Sequence, residues 1–449
     1  MSAVLSGPGL AVPDRAALPA IGATRILSLR GWAGVIGALL LIVVLAPLLN
    51  LVVSPGSLLH LSDYAVLLIG KMMCYAMVAL AIDLIWGYTG ILSLGHGVFF
   101  ALGGYVMGMY LMRQIGRDGN YKSDLPDFMV FLDWRELPWS WALSDSFVAT
   151  LLLVVLVPGL LAFVFGFFAF RSRIKGVYFS IITQAVTFAT MLLFFRNETG
   201  FGGNNGFTDF KTILGFRITD SSTKAVILAT AALALLLVLA GSRYLVASKF
   251  GRVLQAIRDS ESRLRFCGYD TLGYKLAIWT LAAVISGTAG ALYVPIVGII
   301  NPSEMSPASS IEVAIWTAVG GRGTLLGPIM GAFLVNGAKS FFTVTFPEYW
   351  LFFLGLLFVL VTMFLPQGIY GVLAGRWRRR TPAEAVIDEA MVAESNGKRM
   401  AIDNNRMPAE PVASNASADG APALGRSGGR LAMPPAADAD PGLAPEGSR

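Results

Sequence analysis

Long apolar stretches alternate with short polar or glycine-rich segments along most of the chain. Since about 20 apolar residues in a helix span the hydrocarbon core of a bilayer, this pattern predicts an all-α polytopic membrane protein. We expect about ten transmembrane helices, some of them discontinuous, and a helical hairpin at one membrane face. The expected spans cover residues 33–53, 65–86, 86–111, 149–170, 177–195, 225–239, 276–300, 311–321, a short span that ends near 345, and 350–365.

The longest strongly charged segment between two spans covers residues 248–275. Its apolar residues recur at helical spacing, which predicts a short amphipathic helix over 249–258. These residues are Phe250, Val253, Leu254 and Ile257. Asp259 and Ser260 are able to cap a second short helix, which Gly268 then ends. Its arginines exclude this hairpin from lipid and favour a cytoplasmic location. Two short helices held between spanning helices are expected to form a rigid lever. The alternative is an ordinary solvated loop.

Glycine is dense in two apolar segments, 86–111 and 311–345. In a membrane, small residues let helix backbones pack closely, and Gly104 with Gly108 has the spacing of such a contact. Around 93–97 the glycine density exceeds what packing needs, which predicts a broken or kinked entry to the third span. Short, glycine-interrupted segments of this kind are typical of discontinuous helices along a transport path.

Few ionisable residues fall inside the expected spans, and their positions are scattered. Lys71 and Asp83 lie about 18 Å apart along one helix, so they cannot pair with each other. We expect Asp83 at the end of its span and Glu312 near the outer end of its segment, both at the membrane interface. His96 is expected to bond a neighbouring helix, because no second ligand is spaced to form a metal site with it.

The composition excludes a soluble globular protein. Of the 449 residues, 55% are hydrophobic and 14% are charged, too few charges to cover a water-exposed surface. The two cysteines, Cys74 and Cys267, suggest neither a disulfide nor a metal site. A net charge of +6 fits segments that face anionic lipid, and no interleaved basic and aromatic pattern indicates nucleic-acid binding.

The sequence lacks the motifs of catalysis and of nucleotide binding. It contains no GxxxxGK[ST] loop for ATP phosphates and no GxSxG, HExxH or CxxC pattern. We therefore expect a non-catalytic subunit that binds no cofactor and no metal. A channel or a secondary transporter has no need for an amphipathic cytoplasmic lever, whereas a transport subunit driven by a separate ATPase does.

Composition divides the chain into three parts. Residues 1–32 form a polar N-terminal segment, and residues 33–372 form the transmembrane domain with the hairpin at 248–275. Residues 373–449 form a tail rich in Ala, Pro, Gly and Asp, a composition typical of disorder. With about ten crossings, both termini are expected in the cytoplasm.

Three blocks of sequence resemble the LivM-type permeases of ABC importers for branched-chain amino acids. The signature of that family is similar to IDLIWGYTGILSLGHGVFFALGGY. Its coupling loop and the following helix are similar to FGRVLQAIRDSESRLRFCGYD and YKLAIWTLAAVISGTAGALY, and its last shared block is similar to SIEVAIWTAVGGRGTLLGPIMGA. The resemblance covers residues 65–371 and is specific as a set, although each glycine cluster alone is a weak signal.

Within that family, two segments expected at the outer face are similar to those of urea permease subunits of the UrtC type. They are LPDFMVFLDWRELPW, residues 125–139, and NETGFGGNNGFTDF, residues 197–210. This resemblance implies urea as the substrate, with a branched-chain amino acid as the alternative. The alternative from another class is a stand-alone channel or secondary transporter.

The resemblance also implies partners and a location. The chain would form half of a translocation path in the bacterial cytoplasmic (inner) membrane, in contact with lipid. Its partners would be a second homologous permease subunit, two cytoplasmic ATP-binding subunits that use ATP, and a periplasmic substrate-binding protein. The hairpin would sit in a groove of one ATPase through its coupling residues. These are Phe250, Gly251, Leu254, Ile257, Arg258, Glu261 and Gly268.

A path for a small neutral solute such as urea needs sparse, neutral polar groups, since a fixed charge costs desolvation and gains little from urea. The candidates for path-lining residues are Ser93, His96, Thr183, Gln184 and Asn336. For each of them, a hydrogen bond between helices is the alternative role.

Overall fold

The computed structural model of the protein describes residues 29–54, 57, 60–174, 176–364 and 368–377. These residues form α1 Leu29–Leu51, α2 Asp63–Thr89, α3 His96–Ile115, α4 Asp127–Phe131, α5 Phe147–Arg171, α6 Val177–Phe194, α7 Ser221–Ala247, α8 Lys249–Phe266, α9 Thr271–Val297, α10 Pro307–Gly320, α11 Leu326–Thr345, α12 Trp350–Phe364 and α13 Gly368–Trp377. Four short strands are β1 Phe207–Thr208, β2 Thr212–Ile213, β3 Phe216–Arg217 and β4 Ile299–Ile300. Residues 1–28 of the predicted N-terminal segment and 378–449 of the predicted tail lie outside the described residues.

The predicted all-α membrane fold is confirmed, with fewer full-length crossings than the ten expected. In the described part of the chain, seven helices are long and apolar enough to cross a membrane: α1, α2, α3, α5, α6, α7 and α9. The remaining expected crossings are α10, α11 and α12. Helices α10 and α12 have 14 and 15 residues, fewer than the ~20 that a bilayer core requires.

The most buried helices are α2, α3 and α9, which form the centre of the bundle. Glycines allow the backbones of α3 and α9 to touch: a Cβ on Gly103 would collide with the carbonyl group of Gly287, and one on Gly290 with that of Phe100. Gly104 and Gly108, predicted to be a close-packing pair, instead face the side chain of Ile300. Small residues therefore set the distance between the central helices.

The short helix α8 connects α7 to α9 and defines one end of the bundle, called here the α8 end. The opposite end, called here the loop end, carries the long connection between α3 and α5 and the connection between α6 and α7. The two connections pack together there: Trp141 is fully buried and its indole N–H donates to the carbonyl oxygen of Gly200, at 3.2 Å. Trp141 lies in the core of this cap, whereas Trp139 is 91% exposed.

The predicted break before the third span is confirmed. Helix α2 ends at Gly90, which adopts the left-handed conformation with φ +74°, and α3 begins only at His96. The intervening bend is held by α6, where the Thr183 hydroxyl accepts a hydrogen bond from the Leu94 N–H at 3.2 Å. Backbone groups that leave the helix are thus satisfied inside the bundle.

Helix α10 is a half-length helix that begins inside the bundle. Its Ser310 hydroxyl accepts a hydrogen bond of 3.2 Å from the N–H of Gly97 in the first turn of α3, and both residues are buried. Helix α10 then runs to Gly320 and a tight connection at 321–325, which returns the chain into α11. That connection lies at the α8 end, since Gly323 packs against Gly87 in the last turn of α2.

Candidate functional site

Helix α8 has the two-part form that its sequence predicts. The backbone breaks at Ser260, with φ −164° and ψ 91°, so that two helical pieces meet at a kink. Ser248 caps the first piece, and Gly268 with φ +84° follows the second. The local rules of capping and positive φ therefore located both the break and the end of this hairpin.

The apolar face of α8 lies against this chain. Leu254 and Ile257 are buried in the same core as the spanning helices, and the ring of Phe250 lies 5.3 Å from that of Tyr274 in α9. The prediction that Leu254 and Ile257 anchor a partner is wrong, because their buried side chains are not available to a second protein. Phe250 is half-buried, and its predicted contact with a partner stays a prediction. A coupling role for α8 stays a prediction, with the partner on its opposite face.

Exposed side chains lie on that opposite face and at the tip of the hairpin. Phe266 is 92% exposed at the end of α8, and Tyr269 is 46% exposed just beyond it. The exposed arginines Arg252 and Arg263 lie on the same element. An exposed aromatic ring beside arginines is the composition of a protein-binding surface.

A charged cluster fixes the second piece of α8 to α9. The Glu261 carboxylate accepts hydrogen bonds from Arg265 at 2.7 Å, from the hydroxyl of Thr271 at 2.9 Å, and from the ammonium of Lys275. The side chain of Lys275 is almost fully buried, and that of Glu261 nearly so. Because a buried charge is costly without its partner, this cluster makes the second piece of α8 and the start of α9 move together.

The first piece of α8 is bonded to α2. The Arg258 guanidinium donates a hydrogen bond of 2.9 Å to the carbonyl oxygen of Gly87 and one of 3.1 Å to the carboxylate of Asp259. Gly90, one turn further, leaves room for the Arg258 side chain. Arg258 therefore orients α8 on its own bundle, and its predicted role in coupling to a partner stays a prediction.

The end of α2 is bonded in turn to the connection between α10 and α11. The buried carboxylate of Asp83 accepts hydrogen bonds from the backbone N–H groups of Gly323 and, at 3.2 Å, Leu325. The hydroxyl of Tyr88 donates to the carbonyl oxygen of Gly323 at 3.1 Å. Asp83 was expected at the membrane interface; that expectation is wrong, because backbone donors satisfy its carboxylate inside the protein.

A cavity of about 230 Å³ lies between α2, α3, α9, α10 and α11. It reaches α2 over Lys71 to Val78, between about 12 and 22 Å along that helix from its start at the loop end. Aromatic rings form much of its wall, and four ionisable side chains line it. These are Lys71 of α2, Glu304 of the turn between α9 and α10, Glu312 of α10 and Lys339 of α11.

Contacts within the cavity join these groups. The Lys339 ammonium lies 2.9 and 3.0 Å from the two carboxylate oxygens of Glu312. The hydroxyl of Tyr293 donates to the Glu304 carboxylate at 3.1 Å, and the Lys71 ammonium lies 5.6 Å from the centre of the Tyr75 ring. The predicted scatter is therefore wrong for Lys71 and Glu312, which the fold brings to one cavity, and the predicted interfacial position of Glu312 is wrong as well. Asp83 lies apart from them, at the connection between α10 and α11.

The five predicted path residues lie elsewhere, and none of them lines this cavity. Ser93 and Asn336 are buried and bonded within their own bend or helix. Thr183 is buried and bonded both within α6 and to Leu94 of the bend, and Gln184 is half-buried on α6. His96 is buried edge-on against the rings of Phe99 and Trp279. The expectation that it bonds a neighbouring helix is wrong, since neither ring nitrogen has a hydrogen-bond partner within the described residues. A path role for these residues stays a prediction. The one signal that pointed to the cavity was charge inside apolar segments, at Lys71 and Glu312.

Comparison with known proteins identifies the family. The model of the family described as branched-chain amino acid transport system / permease component matches residues 64–362. The chain is 26% identical to the high-affinity branched-chain amino acid transport system permease protein LivM of Salmonella typhimurium, over 66% of this chain and 68% of that protein. It is 23% identical to a probable LivM of Methanocaldococcus jannaschii, over 66% of this chain and 90% of that protein.

A further relative extends the range of solutes. The autoinducer 2 import system permease protein LsrC of Yersinia pseudotuberculosis is 27% identical over 41% of this chain and 52% of that protein. No solved structure matches the chain. These relatives do not support the predicted likeness to urea permeases of the UrtC type; they favour the branched-chain amino acid alternative.

Proposed function

Since the chain belongs to the branched-chain amino acid transport system permease family, we propose that it is the membrane-spanning subunit of an ATP-driven importer of branched-chain amino acids. It forms half of the translocation path, beside a second permease subunit, and catalyses no covalent reaction. Two ATP-binding subunits supply the energy, and a substrate-binding protein delivers the solute at the loop end. The α8 end, rich in arginine, faces the cytoplasm.

The observation that supports this proposal is the way in which α8 packs on the bundle. Its buried face and the Glu261 cluster make it a rigid part of the bundle, while Phe266 at its tip is 92% exposed. An element that is rigid toward the bundle and exposed toward the aqueous side is suited to receive force from a second protein. A flexible solvated loop would transmit none.

Force on α8 has two bonded routes into the bundle. Through Glu261 and Lys275 it moves α9, and through Arg258 and Gly87 it moves the end of α2. From α2 the bonds of Asp83 reach the connection at 321–325 and hence α10 and α11. The helices α2, α9, α10 and α11 line the cavity. ATP-driven tilting of α8 therefore moves these helices and switches the opening of the cavity from one side of the membrane to the other.

The test is Phe266→Ala in the importer assembled with its partner subunits. We expect substrate-stimulated ATP hydrolysis and leucine uptake to fall roughly tenfold, since a central aromatic anchor commonly contributes that much to an interface. The matched control is Phe168→Ala on the spanning helix α5, where the ring is also exposed. Normal coupling in the Phe266 variant would refute docking at the tip.

Removal of the ATP-binding subunits tests the alternative class. An ATP-driven importer then loses uptake altogether. A stand-alone channel or secondary transporter would continue to transport leucine, and that result would refute the proposed function.

A further inference from the structure

The charged cavity contains equal numbers of positive and negative side chains. Lys71 and Lys339 face Glu304 and Glu312 at its wall. Ionisable side chains inside a membrane protein are costly, so four of them in one cavity indicate a functional site. A neutral solute such as urea would gain little from these charges, and a solute of net charge would be attracted by half of them and repelled by the other half.

The four charges are not equally paired. Glu312 and Lys339 form an ion pair at 2.9 Å. Lys71 and Glu304 interact electrostatically, but in the described part of the chain neither forms an ion pair within 4.0 Å. The Lys71 ammonium rests near the Tyr75 ring, and the Glu304 carboxylate accepts one hydrogen bond from Tyr293. One positive and one negative group thus face the same space with capacity left for a ligand.

Aromatic rings form the surface between these two charges. The ring centres of Tyr75 and Trp316 are 4.9 Å apart, and those of Phe100 and Tyr293 are 5.0 Å apart. These rings offer an apolar side chain a contact surface beside the charged groups. The cavity volume of about 230 Å³ is below the ~300–1,000 Å³ of pockets for drug-sized ligands, which suits a solute of amino-acid size.

We propose that this cavity is a transit site for a zwitterionic α-amino acid with an aliphatic side chain. Lys71 binds the carboxylate of the solute, Glu304 binds its ammonium group, and the rings of Tyr75, Phe100 and Trp316 contact its side chain. The proposal rests on the proposed function, because it names the site through which the importer passes its substrate.

Binding of radiolabelled leucine to the purified importer in detergent tests the site directly. We expect Lys71→Met and Glu304→Gln each to weaken binding roughly tenfold or more, since loss of one partner of a desolvated charge pair leaves the other uncompensated. Lys71→Arg keeps the charge and should retain binding within a few-fold. Equal binding by wild type and by a folded Lys71→Met variant would overturn the proposal.

Competitors separate the chemical groups of the solute. Leucinamide lacks the carboxylate, isocaproate lacks the ammonium group, and urea lacks both. We expect each to displace leucine at least tenfold less effectively than unlabelled leucine does. If isocaproate displaces leucine as effectively as unlabelled leucine does, the role of Glu304 is overturned. If urea does so, the whole site is overturned.

A matched control distinguishes binding from folding. Lys224 forms an ion pair with Asp63 at 2.7 Å, between α7 and the start of α2 and away from the cavity. Lys224→Met should therefore leave leucine binding unchanged. If it lowers binding as much as Lys71→Met does, the effect is structural and the proposal fails.

Failure of this site and failure of the proposed function give different results. Normal leucine uptake in Lys71→Met together with lost uptake in Phe266→Ala would refute the transit site and leave the importer function intact. Uptake that continues without the ATP-binding subunits would refute the importer function itself.

Discussion

The guanidinium of Arg258 in α8 donates a hydrogen bond of 2.9 Å to the carbonyl oxygen of Gly87 in the last turn of α2. Gly87 also touches the backbone of Gly323 so closely that a Cβ on it would overlap that residue. Three segments far apart in the sequence therefore meet within one turn of α2. Movement of α8 should therefore displace the end of α2 and the connection that contains Gly323.

Replacement of Arg258 should uncouple the importer without unfolding it. In Arg258→Ala the bond to Gly87 is lost, so tilting of α8 no longer carries the end of α2 with it. We expect ATP hydrolysis to persist while leucine uptake falls severalfold. Arg173→Ala, at an exposed arginine that follows α5 at the same end, is the matched control. If the ratio of leucine uptake to ATP hydrolysis in the Arg258 variant equals that of the wild type, this route is contradicted.

Asp83→Asn should loosen the connection between α10 and α11. The carboxylate of Asp83 accepts bonds from two backbone N–H groups, whereas an amide has one oxygen and turns a donor toward the second N–H. We expect a loss of about 1–3 kcal/mol of stability, seen as a lower midpoint of thermal unfolding in detergent. Asp220→Asn is the control, since Asp220 is exposed and makes no side-chain cap bond. Equal midpoints for both variants would show that Asp83 contributes nothing special.

Glu261→Gln should destabilise α8 through the lysine that it leaves behind. Lys275 stays buried while its carboxylate partner loses its charge, a change that costs about 3–5 kcal/mol for a buried pair. Fluorescence from a probe attached at the exposed Cys267 would report release of the hairpin. The double variant Glu261→Gln with Lys275→Met removes the orphaned charge and should restore most of the lost stability. A double variant as unstable as the single one would contradict this explanation.

Gly290→Ala should separate α3 from α9. A Cβ there collides with the carbonyl group of Phe100, and the overpacking should cost about 1–3 kcal/mol. Gly241→Ala is the matched control on α7, where nothing lies within 4 Å of the added carbon. That variant should be slightly stabilised, by about 0.4–1 kcal/mol, because alanine restricts the unfolded chain. The comparison needs only thermal unfolding of the two variants, and the same shift in both would contradict the close approach.

The sequence predicted those features that depend on neighbours along the chain. The kink at Ser260, the end of the hairpin at Gly268 and the break after Gly90 each follow from capping chemistry or glycine conformation within a few residues. Family resemblance covered the central helices because its motifs are continuous in sequence. In contrast, the contact of Leu254 with a partner was inferred from amphipathicity and from the family resemblance, and an amphipathic pattern identifies an apolar face but not the surface that it meets.

The charged cavity was beyond sequence analysis for a related reason. Depth in the membrane was inferred from position along each apolar segment, which placed Glu312 at an outer end. Helix α10, however, begins inside the bundle, so the same residue lies beside Lys339. Lys71 lies on α2, whereas Glu304, Glu312 and Lys339 come much later in the sequence. The packing of α2 against α10 and α11 brings these four side chains to one cavity.

The shortness of α10 has a mechanical consequence. Its 14 residues form a rod of about 21 Å, with the cavity carboxylates near one end and the junction at Gly323 just past the other. A helix of this length is stiff along its axis, so an axial displacement of the junction moves Glu312 as well. A displacement of the junction would therefore reach the cavity wall at Glu312 through α10 itself, without any bending of the long helices.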